Sequence, residues 1–333
     1  AVYNHTGREF FAFADILENG EKSKYRDWYF IDGFPLKSEW GEIPNFKCFG
    51  YYGGMPKLNL KNPEVEKYIT DVACYWIKEC DIDGWRLDVG DEISHFFWKN
   101  FRKAVKAVKK DMLIIGEIWH YAGDFLEGDE WDTVMNYPFY LNLIDLLADE
   151  KITVSQFVQN LGYLKGRLHK NCYPLMWNLI DSHDTARFLH LCNDNKKKQH
   201  LAAAFQLLLP GMPMIYYGDE YAMPGANDPD CRRGMYWDEE YQDKEMYEWY
   251  KRLIQVRKSH ACIVEGELAG SVTEDEEGTI VLIRKNGEET IAMIFNCSSS
   301  AKKFNEYTQK YNLLTENTFD GNVEGFDAAV IVL

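Results

Sequence analysis

A chain of 333 residues is long enough for two domains, or for one large barrel with an appendage. With 46% hydrophobic and 27% charged residues it can bury a sizeable core, which excludes intrinsic disorder as a description of the whole. Its 37 Lys and Arg against 53 Asp and Glu leave a net charge of −16, which disfavours nucleic acid or an anionic membrane surface as the main partner.

The chain starts with a short strand-like segment, Ala1 to Asn4, followed by a polar, aromatic stretch from Thr6 to Met55. That stretch has Gly, Pro and Asp punctuation and no helical period, and reads as a long loop or small subdomain. Asn62 as N-cap and Pro63 at the first helical position open a helix whose apolar residues are Val65, Tyr68, Ile69, Val72 and Trp76. A short strand follows over Asp83 to Val89. Ser94 caps a second helix with Phe97, Phe101, Val105 and Val108 on one face, and Met112 to Ile115 is an apolar strand ending in Gly116-Glu117.

Further strands are expected over Thr133–Asn136, Leu175–Ile180 and Pro213–Tyr217, with helices over 139–147, 196–208 and 243–258. Buried-type strands alternating with helices predict a parallel α/β sheet or a (β/α)8 barrel. From about residue 262 the pattern changes. Thr279–Arg284 and Glu289–Asn296 alternate at period two around an Asn286-Gly287 turn, and Phe326–Leu333 is a last strand, so 262–333 reads as a small antiparallel β domain.

The eight cysteines, at 48, 74, 80, 172, 192, 231, 262 and 297, include no CxxC pair and no zinc spacing with histidine. They read as reduced thiols of a cytoplasmic protein, and no metal site is expected from them. No apolar run reaches 18 residues; Leu201–Tyr217 is interrupted by Gln206, Pro210 and Pro213, so no membrane span is expected.

Several expected strands end in groups able to do chemistry: Asn4 and His5, then Arg86, Asp88, Asp91 and Glu92, then Glu117 and His120, then His183 and Asp184, then Asp219 and Glu220. In α/β barrels that rim carries the active site. One such carboxylate alone is commonly a helix cap; the recurrence is what points to a site. Glycoside hydrolysis needs an ionised carboxylate and a protonated one close together. Asp88 shares a strand face with Arg86, which keeps it ionised, whereas Glu117 follows four apolar residues in a drier setting.

Asp83-Gly84-Trp85-Arg86-Leu87-Asp88-Val89, Gly116-Glu117-Ile118-Trp119-His120 and Ile180-Asp181-Ser182-His183-Asp184-Thr185 resemble the motifs of glycoside hydrolase family 13, the α-amylase family. Val2-Tyr3-Asn4-His5 is similar to the tail of its first motif. Met55-Pro56-Lys57-Leu58-Asn59, Tyr216 to Glu220 and Asp228-Pro229-Asp230-Cys231-Arg232 resemble the neopullulanase, cyclomaltodextrinase and maltogenic amylase branch.

The resemblance implies Asp88 as nucleophile, Glu117 as general acid/base and Asp184 as transition-state stabiliser held with His183. It places Arg86 against Asp88, Asn4 and His5 near the cleaved bond, and His95 and Trp119 on the acceptor side. It implies a (β/α)8 TIM barrel over 1–261 lacking its first two βα units, a loop domain inserted at 7–55, and a C-terminal antiparallel β-sandwich domain over 262–333. These residues alone are then expected to lack activity. The implied reaction is retaining hydrolysis of α-1,4 glucosidic bonds, with α-1,6 bonds left open, in cyclodextrins, maltooligosaccharides or pullulan. No cofactor is required, calcium is left open, and the full-length protein is expected to be a homodimer. The alternative is a non-catalytic binding or assembly scaffold of the same family; the three carboxylates Asp88, Glu117 and Asp184 argue against it.

Overall fold

The computed structural model describes residues 1–37 and 41–333, so residues 38–40 of the expected 7–55 insertion lie outside the described residues. The chain divides into two compact units, Ala1–Met135 and Asn136–Leu333, taken in turn.

In the first unit, the start of the chain forms a single parallel bridge, Val2 to Asp88, in place of a strand. The 6–55 stretch corrects the expectation of no helix, because α1 (Phe11–Asn19) buries Ala12, Phe13 and Ile16. Its helical period is masked because Phe11, on another side, packs edge-on against Tyr25, Trp28 and Tyr68, so the segment is apolar around most of its circumference.

Helix α2 (Pro63–Cys80) starts where expected, the Asn62 side chain accepting from the Glu64 N–H. Its buried row is Val65, Ile69, Ala73 and Ile77, and Trp76 is exposed. Strand β1 (Gly84–Leu87) is followed by α3 (His95–Val108), whose Ser94 cap accepts from the Phe97 N–H. Strands β2 (Leu113–Gly116) and β3 (Thr133–Val134) complete a parallel sheet in the order β1-β2-β3. Short parallel strands joined by helices are βα units, and they aim the C-terminal ends of β1 and β2 the same way.

The second unit opens with α4 (Tyr137–Leu147) and α5 (Val154–Arg167), the latter begun by a Thr153–Gln156 capping box. Strand β4 (Trp177–Asn178), α6 (Phe188–Leu191), α7 (Lys196–Leu208), β5 (Met212–Pro213), α8 (Lys244–Ser259) and α9 (Ala261–Glu265) follow. Strands β4 and β5 pair in parallel but are shorter than the expected 175–180 and 213–217. Pro213 has no N–H to continue the ladder, and the Tyr216 and Tyr217 rings lie 4.0 and 4.9 Å from the Arg187 guanidinium. The aromatic run that looks like a strand is packing on a cation.

The chain ends in a six-stranded antiparallel sheet. It contains β6 (Glu267–Glu274), β7 (Thr279–Asn286), β8 (Glu289–Asn296), β10 (Tyr311–Asn312), β11 (Asn317–Thr318) and β13 (Asp327–Val332), ordered β11-β10-β13-β8-β7-β6. Strands β9 (Lys302–Lys303) and β12 (Asn322–Val323) pair separately. The β7–β8 turn is Gly287-Glu288, one residue later than read from sequence, with Gly287 at φ 59°.

The expected polar face of β8 is also corrected, since the strand is buried on both sides. Ile291, Met293 and Phe295 join a core with Leu143, Phe157, Phe205, Leu253 and Ile263 of the helices. Ala292 and Ile294 pack under Phe304, Phe319 and Val323. Each such side chain contributes on the order of 1.5–3 kcal/mol of burial.

Candidate active site

Arg86 and Asp88 are two residues apart at the end of β1, and that spacing puts both side chains on one face. Arg86 Nη1 lies 2.6 Å from Asp88 Oδ1, and its Nη2 lies 3.0 Å from Glu117 Oε2 at the end of β2. One guanidinium therefore bridges two carboxylates from neighbouring parallel strands. Their settings differ as the sequence suggests: the Glu117 side chain is 7% exposed and that of Asp88 23%.

Glu117 Oε2 also accepts from the Val89 N–H at 2.9 Å, and Oε1 accepts from Trp119 Nε1 at 3.2 Å. Val89 is a β-branched residue at φ 46°, a strained conformation that costs on the order of 1–3 kcal/mol and here turns its N–H onto Glu117. Beneath the site, a Cβ on Gly90 or Gly116 would collide with the buried Trp131 ring, which stacks on Phe125 at 4.1 Å. Glycine at both positions lets the two strand ends lie flat on that indole.

The remaining sequence-selected groups of this unit take distinct places. Asn4 is fully buried and donates to Glu92 Oε2 at 3.2 Å, where Lys57 Nζ also reaches at 2.8 Å. Asn4 thus holds Glu92 in place. His5 stacks on Phe49 at 5.1 Å; burial lowers its pKa, while the charges of Asp88 and Glu92 pull it up. His95 Nδ1 contacts the buried Glu130 carboxyl at 2.9 Å and stacks on Phe125, leaving half of its ring open. Burial raises the Glu130 carboxyl above its ordinary range, with His95 drawing it back. Trp119 is well exposed beside Glu117.

In the second unit, His183 Nε2 lies 3.1 Å from Asp184 Oδ2, and Arg232 Nη2 lies 3.1 Å from Asp184 Oδ1. Arg232 is held in turn by Asp228 at 2.8 Å. The 228–232 run is a motif in the sequence, but a cation closing on Asp184 from 48 residues away is visible only in three dimensions. Cys231 in that run is a buried thiol donating to the His183 carbonyl, and burial pushes its pKa up, which removes it as a reactive thiolate.

Behind these loops lies a buried cluster that sequence reasoning missed. Arg187 Nη1 binds Asp219 Oδ1 at 3.1 Å and the Tyr217 carbonyl at 2.6 Å, and Nε binds the Cys231 carbonyl at 3.2 Å. Asp181 Oδ2 accepts from the Phe188 N–H at 2.7 Å, and a second buried oxygen on each of Asp181 and Asp219 has no hydrogen-bond partner. Burial pushes Asp181 up to about 6, and burial with the Asp181 charge pushes Asp219 well above its ordinary value. Two buried carboxyls beside one guanidinium resist ionising together. Among the described residues no group of three or more His, Cys, Asp or Glu is placed to hold a metal ion, and no helix is long and apolar enough to cross a membrane.

Known proteins match this arrangement over nearly its whole length. The profile of the α-amylase catalytic domain matches residues 1–242. A cyclomaltodextrinase of Geobacillus thermopakistaniensis is 46% identical over 301 residues, covering 90% of this chain and 51% of that protein. Neopullulanase 2 of Thermoactinomyces vulgaris is 42% identical over 297 residues, covering 89% and 50%. A solved cyclomaltodextrinase structure superposes with a TM-score of 0.93 at 36% identity, covering 99% of this chain and 59% of that one. The chain spans about half the length of the curated relatives it matches. Its parallel βα units, the bridged carboxylates at the ends of β1 and β2 and the match over residues 1–242 agree: this chain belongs to the α-amylase family, glycoside hydrolase family 13.

Proposed function

We propose that the protein is a retaining α-glucan hydrolase acting on α-1,4 bonds, and on α-1,6 bonds where its loops admit them, in cyclodextrins, maltooligosaccharides or pullulan. The observation that carries this reading is the single Arg86 guanidinium holding Asp88 and Glu117 together. Two carboxyls gripped by the two ends of one guanidinium suit the separation of roughly 5 Å that retaining enzymes use.

In the proposed reaction, Glu117 gives its proton to the glycosidic oxygen while Asp88 attacks the anomeric carbon, forming a glycosyl ester as the leaving chain departs. Glu117 then takes a proton from water, which attacks the same carbon and releases Asp88. Asp184, gripped by His183 and Arg232, stabilises the oxocarbenium-like transition state, and Trp119, His95 and His5 contact sugar rings. Residues 1–261 with the 7–55 insertion form the catalytic region and 262–333 a separate β domain.

The relatives named for cyclomaltodextrin and pullulan support the substrate class. An intracellular maltogenic amylase of Bacillus subtilis at 42% identity, together with eight cysteines that form no disulfide, supports the cytoplasm as location. A homodimeric whole protein is part of the same reading, and light scattering tests it.

The deciding experiment follows β-cyclodextrin with the whole protein by proton NMR. Initial release of the α-anomer is expected, with Glu117→Gln lowering kcat by about 10²–10⁴-fold. Initial release of the β-anomer removes the retaining mechanism, and glucan binding without turnover moves the non-catalytic scaffold ahead.

A further inference from the structure

The second unit contains a cavity of about 170 Å³, remote in sequence from the motifs above, set among α5, α7 and strands β6 to β8. Phe157, Leu161, Phe205, Ile280, Leu282 and Met293 supply apolar walls. An apolar cavity of comparable size, about 150 Å³, stays dry and takes up a molecule the size of benzene.

The charged groups lining this cavity are of one sign. Lys165 and Arg284 are both present, and no carboxylate lines it. Arg284 is only 6% exposed. Its Nη2 donates to the Val264 and Gly266 carbonyls, which closes the end of α9, yet its Nε is buried without a hydrogen-bond partner. No carboxylate among the described residues forms an ion pair with it, and the neighbouring Arg257 is a second cation. Burial lowers both guanidinium pKa values, Arg257 further through the charge of Arg284. A buried cation with no anionic partner is costly, and an anion in the cavity that the Arg284 side chain lines would offset that cost.

We propose that this cavity binds a small apolar carboxylate, its ring or short alkyl body among Phe157, Phe205 and Met293 and its head on Arg284. Gly162 of α5 lines the cavity, and a Cβ there meets nothing within 4 Å, so a larger side chain has room at the cavity's edge without displacing backbone. Gly162→Phe also removes a glycine from a helix interior, which favours folding. Arg284 is left intact in this variant.

Phenylacetate titrated calorimetrically into the protein is expected to show saturable one-site binding. Gly162→Phe, checked for folding by its melting temperature, is expected to weaken that binding at least tenfold, and the neutral analogue 2-phenylethanol to bind at least tenfold more weakly than phenylacetate. Absence of saturable binding, unchanged affinity in Gly162→Phe, or equal affinity for the alcohol would each overturn the proposal.

Discussion

Single residues control this site through charge. Arg86 contributes two nitrogens in a planar fork, one to each carboxylate, and lysine cannot reproduce that bridge. Arg86→Lys is therefore expected to lower kcat by about 10²–10³-fold, the scale of losing one preorganised donor, with little change in melting temperature. Steady-state kinetics on cyclodextrin check this, and a loss confined to KM would contradict it.

The Asp181–Asp219 pair makes a second prediction. Both carboxyls are raised, Asp181 to about 6, so the folded protein keeps protons that the unfolded chain releases near pH 4. Stability from this pair is present below about pH 4 and is lost as pH rises through about 6 and beyond. Asp219→Asn needs no proton, so the variant should gain stability relative to the parent between pH 5 and pH 8. Urea unfolding at the two pH values tests this; parallel pH dependences would contradict the raised carboxyls.

At the scale of elements, β1 and β2 deliver Asp88 and Glu117 because their ends lie flat against Trp131. Gly116→Ala drives a methyl group into that indole. Overpacking of this kind costs about 1–3 kcal/mol, and the displaced β2 end carries Glu117 with it, so kcat and melting temperature should fall together. Helix α5 offers the contrasting case. Thr153→Ala removes one half of its capping box and is expected to cost about 1 kcal/mol by thermal unfolding while leaving cyclodextrin turnover unchanged.

Legibility in the sequence varied among these elements for physical reasons. Helices α2, α3 and α8 are readable because each begins with a side-chain cap and carries an apolar stripe, whereas α7 has the Asn195 cap and is buried on all sides from Leu201 to Leu208. Helix α1 has no side-chain cap and aromatic residues on several sides, so its period is hidden. Strands β4 and β5 keep two ladder residues each, because their apolar neighbours pack on Arg187 and the core rather than extend the sheet.

For the molecule as a whole, the eight cysteines form no disulfide, and their burial sorts them. Cys80 is exposed, whereas Cys192, Cys231 and Cys262 are buried, with Cys192 pushed up to about 12 by burial. A thiol reagent should therefore label Cys80 promptly and these three only on unfolding; mass spectrometry of the labelled peptides reads the order, and early labelling of Cys231 would contradict its buried place.

The βα alternation and the antiparallel end are legible in the sequence, and the candidate carboxylates Asp88, Glu117 and Asp184 stand out there, because periodicity, caps and short charged motifs are local properties of the chain. Folding alone reveals that Arg86 holds both Asp88 and Glu117, that Asn4 is buried against Glu92, that Arg232 closes on Asp184 and that Asp181 and Asp219 are buried beside Arg187. Each of these depends on which distant segments meet, and on the burial that makes a charge costly without its partner.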